Sequence, residues 1–200
     1  METSPSIRLK VFCTSWLLAV CVGVAIILRY ENTSGAVGVT IQDYPSVKQV
    51  TLDPKRDTLV MFAHPKCPCT RASMDELNRL MTQSNGKLAA HVFFLQPTNF
   101  SEAWVKTGLW QSAAAIPGVA VHTDPGGTTA QKFGAETSGY VLLYNPAGQL
   151  LFSGGITSGR AHEGDNAGED AIIALVNGQK PGITHTPVYG CYLLNEPAIK

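Results

Sequence analysis

Thr58-Leu59-Val60-Met61-Phe62-Ala63, running into His64-Pro65-Lys66-Cys67-Pro68-Cys69-Thr70, is the stretch that decides the fold. The first six residues are a short apolar run bounded by charge on one side and proline on the other, the pattern of a buried strand. From Thr70 to Met81 the period changes: Ser73, Leu77 and Leu80-Met81 share one helical face, and Arg71, Asp75, Glu76 and Arg79 take the other. Two cysteines therefore stand where a buried strand gives way to a helix. Backbone N–H groups at a helix start favour thiolate over thiol. Lys66 adds a positive charge beside Cys67, and Pro68 suits a first helical turn. Two thiols this close supply an attacking and a resolving group, the pair that disulfide exchange requires.

Outward from that stretch the alternation continues. Ala89 to Leu95 reads as a second buried strand closed by Pro97, and Ser101 can cap a helix to about Ala114 with Glu102 in its first turn. Gly118 to His122 is a third strand, followed by an Asp124-Pro125-Gly126-Gly127 turn and a short helix to Phe133. Tyr140 to Tyr144 and Leu150 to Phe152 flank Asn145-Pro146-Ala147-Gly148, a hairpin turn. Ala167 to Asn177 is a last helix, capped by Asp165 or Asn166 and stopped by Gly178. The order β-α-β-α-β-α-β-β-α predicts an α/β fold: a mainly parallel sheet covered on both faces, ending in an antiparallel hairpin.

This arrangement resembles the thioredoxin-like superfamily, and the inserted βα unit at 118–133 resembles its redoxin branch. His64-Pro65-Lys66-Cys67-Pro68-Cys69-Thr70, Leu151-Phe152-Ser153-Gly154-Gly155-Ile156-Thr157 and Thr186-Pro187-Val188-Tyr189-Gly190-Cys191 are similar to the membrane-anchored RedB-type redoxins. The resemblance implies a thiol-disulfide oxidoreductase that needs no dissociable cofactor and exchanges electrons with a redox partner protein or a protein thiol or disulfide. The chain departs from the thioredoxin pattern in two places. Its motif is Cys-x-Cys, so an ungapped match puts Cys69 at the resolving position and Lys66 at the usual nucleophile position. Anchoring on Cys67 as nucleophile instead leaves Thr70 in the resolving slot. Thr137-Ser138-Gly139 stands where thioredoxins carry a cis-proline, which draws Ser138 and Gly139 into the site. No Pro-x-x-x-Thr/Ser-x-x-Cys peroxidase run ends at Cys67 or Cys69.

Cys191 supplies a third thiol beyond the apolar N-terminal segment. It either resolves a mixed disulfide at Cys67 or Cys69, or forms a fixed disulfide that tethers the tail. His64 either tunes the cysteines or is a polar loop residue. Arg160 and His162, in the glycine-rich loop 154–165, either reach the rim of the site or are solvated. The rival to redox work is soft-metal handling, with Cys67, Cys69, Cys191 and His162 as thiolate and imidazole ligands for an ion such as Cu(I). Trp104, Trp110 and Phe133 read as core or groove residues, and Gly126-Gly127 lacks the spacing of a nucleotide-binding loop.

The rest of the chain sets the context. Val11 to Leu28 is an uncharged run of eighteen residues, roughly 27 Å as a helix and close to a bilayer core. Arg8 and Lys10 precede it, which leans toward a cytoplasmic segment 1–10, a transmembrane anchor 11–28, a tether 29–47 and a domain 48–200 outside the cytoplasm with a cysteine-containing tail. The competing reading is a signal peptide cleaved near Ser34-Gly35-Ala36. Of 200 residues, 44% are hydrophobic and 15% charged, enough for a core and too apolar for a disordered chain. Fifteen basic residues balance fifteen acidic ones with no Lys/Arg run, which argues against a nucleic-acid partner. Five cysteines cannot all pair within one chain.

Overall fold

The computed structural model describes residues 5–194 and divides into two compact units, Met1–Thr33 and Ser34–Lys200. In the first, a single helix α1 (Pro5–Glu31) extends past the expected 11–28 at both ends. It is long and apolar enough to cross a membrane, a property that signal sequences share.

The second unit is built on a five-stranded sheet of order β3-β2-β1-β4-β5: β1 (Asp57–Ala63), β2 (Leu88–Gln96), β3 (Val119–Pro125), β4 (Tyr140–Tyr144) and β5 (Leu150–Gly154). β1 runs parallel to β2, and β2 to β3, while β4 is antiparallel to both β1 and β5. Half of the pairings are thus antiparallel, because β4 runs opposite to both of its neighbours. The expected turn closes β4 onto β5: Gly148 adopts φ 82°, and the Gly148 N–H donates to the Asn145 carbonyl at 2.9 Å.

Strand β1 is the hub, with all of its residues buried after Asp57. Alternate side chains serve opposite faces. Leu59, Met61 and Ala63 pack against Leu77 and Leu80 of α2 (Pro68–Gln83), Leu109 and Ala113 of α4 (Gly108–Ala115), and Ile172 of α6 (Ala167–Val176). Val60 and Phe62 join the other core with Phe93, Phe133, Tyr140 and Tyr144. Among the described residues only one short helix, α5 (Thr128–Lys132), lies on that face. The remaining cover is irregular chain: Val37, Tyr44, Val47, Val50 and Leu52 from the N-terminal side, and Val188, Leu193 and Leu194 from the tail.

Two sequence expectations need correction here. The segment read as part of a tether is docked from Ser34 onward: Tyr144 Oη donates to the Ile41 carbonyl at 3.1 Å, and the Leu150 N–H to the Gln42 carbonyl at 2.9 Å. Its low helical periodicity comes from covering a sheet in extended form. The helix expected over 101–114 is broken into α3 (Glu102–Val105) and α4, with Thr107 extended at φ −84°, ψ −179°. Thr107 Oγ1 donates to the Pro65 carbonyl at 3.0 Å, so the break fastens α4 to the cysteine-bearing loop. The last helix is capped by Asn166, whose side chain accepts the Glu169 N–H at 2.9 Å.

Candidate active site at the start of helix α2

Cys67 is the N-cap residue of α2, with extended backbone (φ −82°, ψ 121°), and Pro68 takes the first helical turn. Its thiol is buried at 1% exposure. Cys69 and Cys191 are half-buried, and all five cysteines of the chain are thiols, Cys13 and Cys21 lying exposed on α1.

The tail brings Cys191 to this point. Glu136 to Ser138 pairs antiparallel with Cys191 to Leu193: the Ser138 N–H donates to the Cys191 carbonyl at 2.8 Å and the Leu193 N–H to the Glu136 carbonyl at 2.8 Å, flanking a Thr137–Tyr192 bridge. The Cys191 N–H then donates to Cys67 Sγ at 3.4 Å. Ser138 knots the parts together. Its hydroxyl accepts the His64 N–H at 2.8 Å and lies 2.8 Å from Thr70 Oγ1. Gly139, at φ 91°, donates its N–H to the Phe62 carbonyl at 2.7 Å, where a side chain would be strained. Ser138 and Gly139 therefore do stand at the site. Gly190 was not singled out by sequence. A Cβ there would run into the Ser138 carbonyl, and its place just before Cys191 was the available signal.

The three site thiols are not equivalent. Burial pushes the Cys67 thiol up, but hydrogen bonds from Cys191 and Thr70 outweigh it and bring its pKa below the ordinary value. Burial, together with the charge of Cys67, pushes Cys69 up, opposed by Arg160. Cys191 is pushed up to about 12, first by burial and then by its hydrogen bond to Cys67 and the charges of Cys67 and Cys69, again opposed by Arg160. One sulfur is thus favoured as thiolate and the other two hold their protons around it.

The groups that shift the Cys67 thiol are Cys191 and Thr70, and Lys66 is engaged elsewhere. The Lys66 ammonium sits 4.8 Å from the centre of the Trp104 ring, a cation–π contact. His64 is also turned elsewhere: Nδ1 accepts the Lys66 N–H at 3.2 Å, the ring meets Trp104 edge-on, and burial followed by the Lys66 charge lowers its pKa. Lys66 lines the approach to Cys67, and Cys191 and Thr70 do the tuning.

The loop between β5 and α6 divides in two. Arg160 Nη1 donates to the Gly190 carbonyl at 2.8 Å, which puts it at the rim. His162 is exposed, with Nδ1 2.9 Å from the Arg160 carbonyl of its own loop. Among the described residues no group of three or more His, Cys, Asp or Glu side chains gathers in a way that could hold a metal ion. The ligand set Cys67, Cys69, Cys191 and His162 is not assembled. Trp104 and Trp110 are half-buried against one core and Phe133 is within the other, as their sequence reading had them.

A surface groove of about 240 Å³ leads to Cys67 past Pro65, Lys66, Pro68, Arg71 and Thr107 to Leu109. No protein-family model matches the sequence, and no curated protein does. Solved structures do match. A protein from Sinorhizobium meliloti superposes with a TM-score of 0.57 at 20% identity, over 82% of this chain and 96% of its own. A conserved protein from Geobacillus kaustophilus gives 0.57 at 15% identity, over 84% and 95%. The exposed lipoprotein thioredoxin of Streptococcus pneumoniae is also similar, with a TM-score of 0.46 at 16% identity, over 62% of this chain and 86% of that one. The β2-β1-β4-β5 core with a cysteine at the start of α2, extended by the inserted unit of β3 and α5, makes the fold thioredoxin-like.

Proposed function

We propose that this chain is a membrane-anchored thiol-disulfide oxidoreductase working outside the cytoplasm, with Cys67 as nucleophile and Cys191 as resolving thiol. The observation that carries the reading is the contact at Cys67 Sγ, where a favoured thiolate accepts a hydrogen bond from the residue that bears the second thiol. The Cys67 thiolate attacks one sulfur of a substrate disulfide R–S–S–R′. A Cys67–S–S–R bond forms, the substrate S–S bond breaks, and R′S⁻ leaves with the electron pair. Cys191 then displaces RS⁻ and leaves a Cys67–Cys191 disulfide, which a partner dithiol reduces for the next turnover. A Cys67–Cys69 bond would close a far tighter ring, against the separation that disulfides prefer. The substrate class is a protein disulfide or thiol, and the α1 helix supplies the anchor.

Reduction of insulin disulfides by the full chain in detergent, coupled to dithiothreitol, tests this. Cys67→Ser abolishes activity, and Cys191→Ser accumulates a mixed disulfide on Cys67 that mass spectrometry identifies. Full activity in Cys67→Ser rejects the assignment.

A further inference from the structure

We propose that Arg160 is a positioning residue for the second half of the exchange: it holds Cys191 against Cys67 through the Gly190 carbonyl and favours the thiolate that forms on Cys191 once Cys67 is bonded to substrate. The inference rests on the exchange reading above. Three separate parts of the chain meet at this guanidinium. Nη1 donates to the Gly190 carbonyl at 2.8 Å, one residue before Cys191. The charge of the same side chain, followed by its hydrogen bonding, opposes the rise of the Cys69 thiol pKa on α2. Its own loop is fixed at both ends: the Thr186 hydroxyl donates to the Gly155 carbonyl at 2.7 Å, and the Gly164 N–H to Glu76 Oε1 of α2 at 2.7 Å. Arg160 is therefore carried on an anchored loop and reaches from it to both helix and tail.

The charges around Cys191 give the contact a consequence in time. The groups that act on its proton are Cys67 and Cys69 from α2 and Arg160 from the β5–α6 loop. While Cys67 waits as a thiolate, burial, the hydrogen bond to Cys67 and the Cys67 charge keep Cys191 protonated, and Arg160 opposes them. Attack on substrate removes the Cys67 part of that obstacle, because the negative charge departs with R′S⁻ and Cys67 Sγ becomes a neutral disulfide sulfur. Arg160 then acts on Cys191 without a competing anion beside it. The Cys191 proton passes to water or to R′S⁻, Cys191 Sγ bonds to Cys67 Sγ, the Cys67–S–R bond breaks, and RS⁻ leaves. The substrate disulfide ends as two thiols and the enzyme as one disulfide. Cys191 thus stays a thiol until it is needed, which keeps the two steps in order.

The test uses the full chain in detergent with Cys13→Ala and Cys21→Ala, leaving the three site thiols. An uncharged disulfide, dithiodipyridine, is mixed with the reduced protein, and each equivalent of released pyridinethione is followed. Cys67 attack gives the first equivalent and resolution by Cys191 the second. For Arg160→Met the first phase stays within about twofold, the second slows about tenfold, and its pH profile moves up by about one unit. Arg160→Lys keeps the charge but loses the planar fork, so it restores the pH profile while the rate stays depressed. A second phase unchanged in rate and pH profile in Arg160→Met overturns the proposal. So does equal slowing of both phases in both variants, which marks a merely structural role. A second phase that persists in Cys191→Ser also overturns it, by giving resolution to Cys69. A fast first phase in Cys67→Ser sinks the exchange reading itself, whereas normal Cys67 and Cys191 behaviour with silent Arg160 variants sinks this inference alone.

Discussion

The centre of the sheet and the seam over Cys67 are held by different forces. In β1, Val60 and Phe62 are almost fully buried among aromatic rings, Phe62 lying 5.6 Å from Phe93 and 5.4 Å from Phe133 between centroids. Each such side chain contributes roughly 1.5–3 kcal/mol by leaving water. The seam between 136–138 and 190–193 has one buried apolar side chain, Leu193, and is otherwise joined by backbone hydrogen bonds, one arginine and a thiol contact. A hydrogen bond of this kind nets only about 0.5–1.5 kcal/mol. The sheet is therefore the firmer frame, and the seam the weaker join. Opening is a requirement of the proposed chemistry, since Cys67 must be reached by a foreign sulfur and then by Cys191.

The largest expected effect breaks the frame. Phe62→Ala leaves a cavity between Phe93 and Phe133 and costs about 3–5 kcal/mol. That corresponds to a fall of roughly 10 °C in melting temperature for a chain of this size. Urea unfolding of the full chain in detergent, followed by tryptophan fluorescence, measures it. If Phe62→Ala destabilises less than a change in the seam, the division between frame and hinge is wrong.

The same division explains what could be read from sequence. β1, α2, the hairpin turn and the last helix are legible because burial imposes a local period on each: five apolar residues in a row at 59–63, helical spacing at Ser73, Leu77 and Leu80, and a Pro-Gly turn at 146–148. The cover on the second face is not, because Val37, Tyr44, Val47 and Val50 pack as extended chain with no period to betray it. At the site, the cysteines and the Ser138-Gly139 segment were legible from motif and order. The tuning was not. Lys66 is adjacent to Cys67 in sequence, yet its ammonium is spent on Trp104, while the groups that lower the thiol include Cys191, 124 positions away. Adjacency along the chain is a poor guide to where a flexible charged head will lie.

A middle-sized effect tests the seam. In Gly190→Ala the new Cβ meets the Ser138 carbonyl, which is backbone and cannot step aside. The tail shifts, at a cost of about 1–3 kcal/mol. Displacing Cys191 both uncovers Cys67 and removes a hydrogen bond that favours its thiolate, so the two effects must be separated. At a pH of about 10, well above the ordinary thiol value of about 8.5, the thiolate is formed in either case and alkylation reports access alone. There iodoacetamide modifies Cys67 severalfold faster in the variant than in the parent. Equal rates mean that the tail does not shield the sulfur, and the comparison loses its seam.

The smallest effect isolates one hydrogen bond inside the seam. Thr70 favours the Cys67 thiolate, and its hydroxyl also lies 2.8 Å from Ser138 Oγ. Thr70→Val keeps the shape and removes the hydroxyl. A hydrogen bond to a charged group is worth about 1.5–3 kcal/mol, part of which survives through the Thr70 backbone and Cys191, so the Cys67 pKa rises by roughly one unit. The thiolate absorbance of the Cys69→Ser background, followed against pH, moves to higher pH by that amount, and below the transition the thiolate fraction falls about tenfold. The sign carries over to stability. Cys67 holds its proton less tightly folded than unfolded, so its contribution is present above the unfolded pKa and is lost as pH falls through the folded one. Valine narrows that window from below: the variant is less stable than the parent at alkaline pH, and at acidic pH, where both sulfurs carry a proton, the thiolate part of the difference vanishes. A titration curve that stays in place, or moves down, removes Thr70 from the tuning of Cys67 and leaves that work to Cys191.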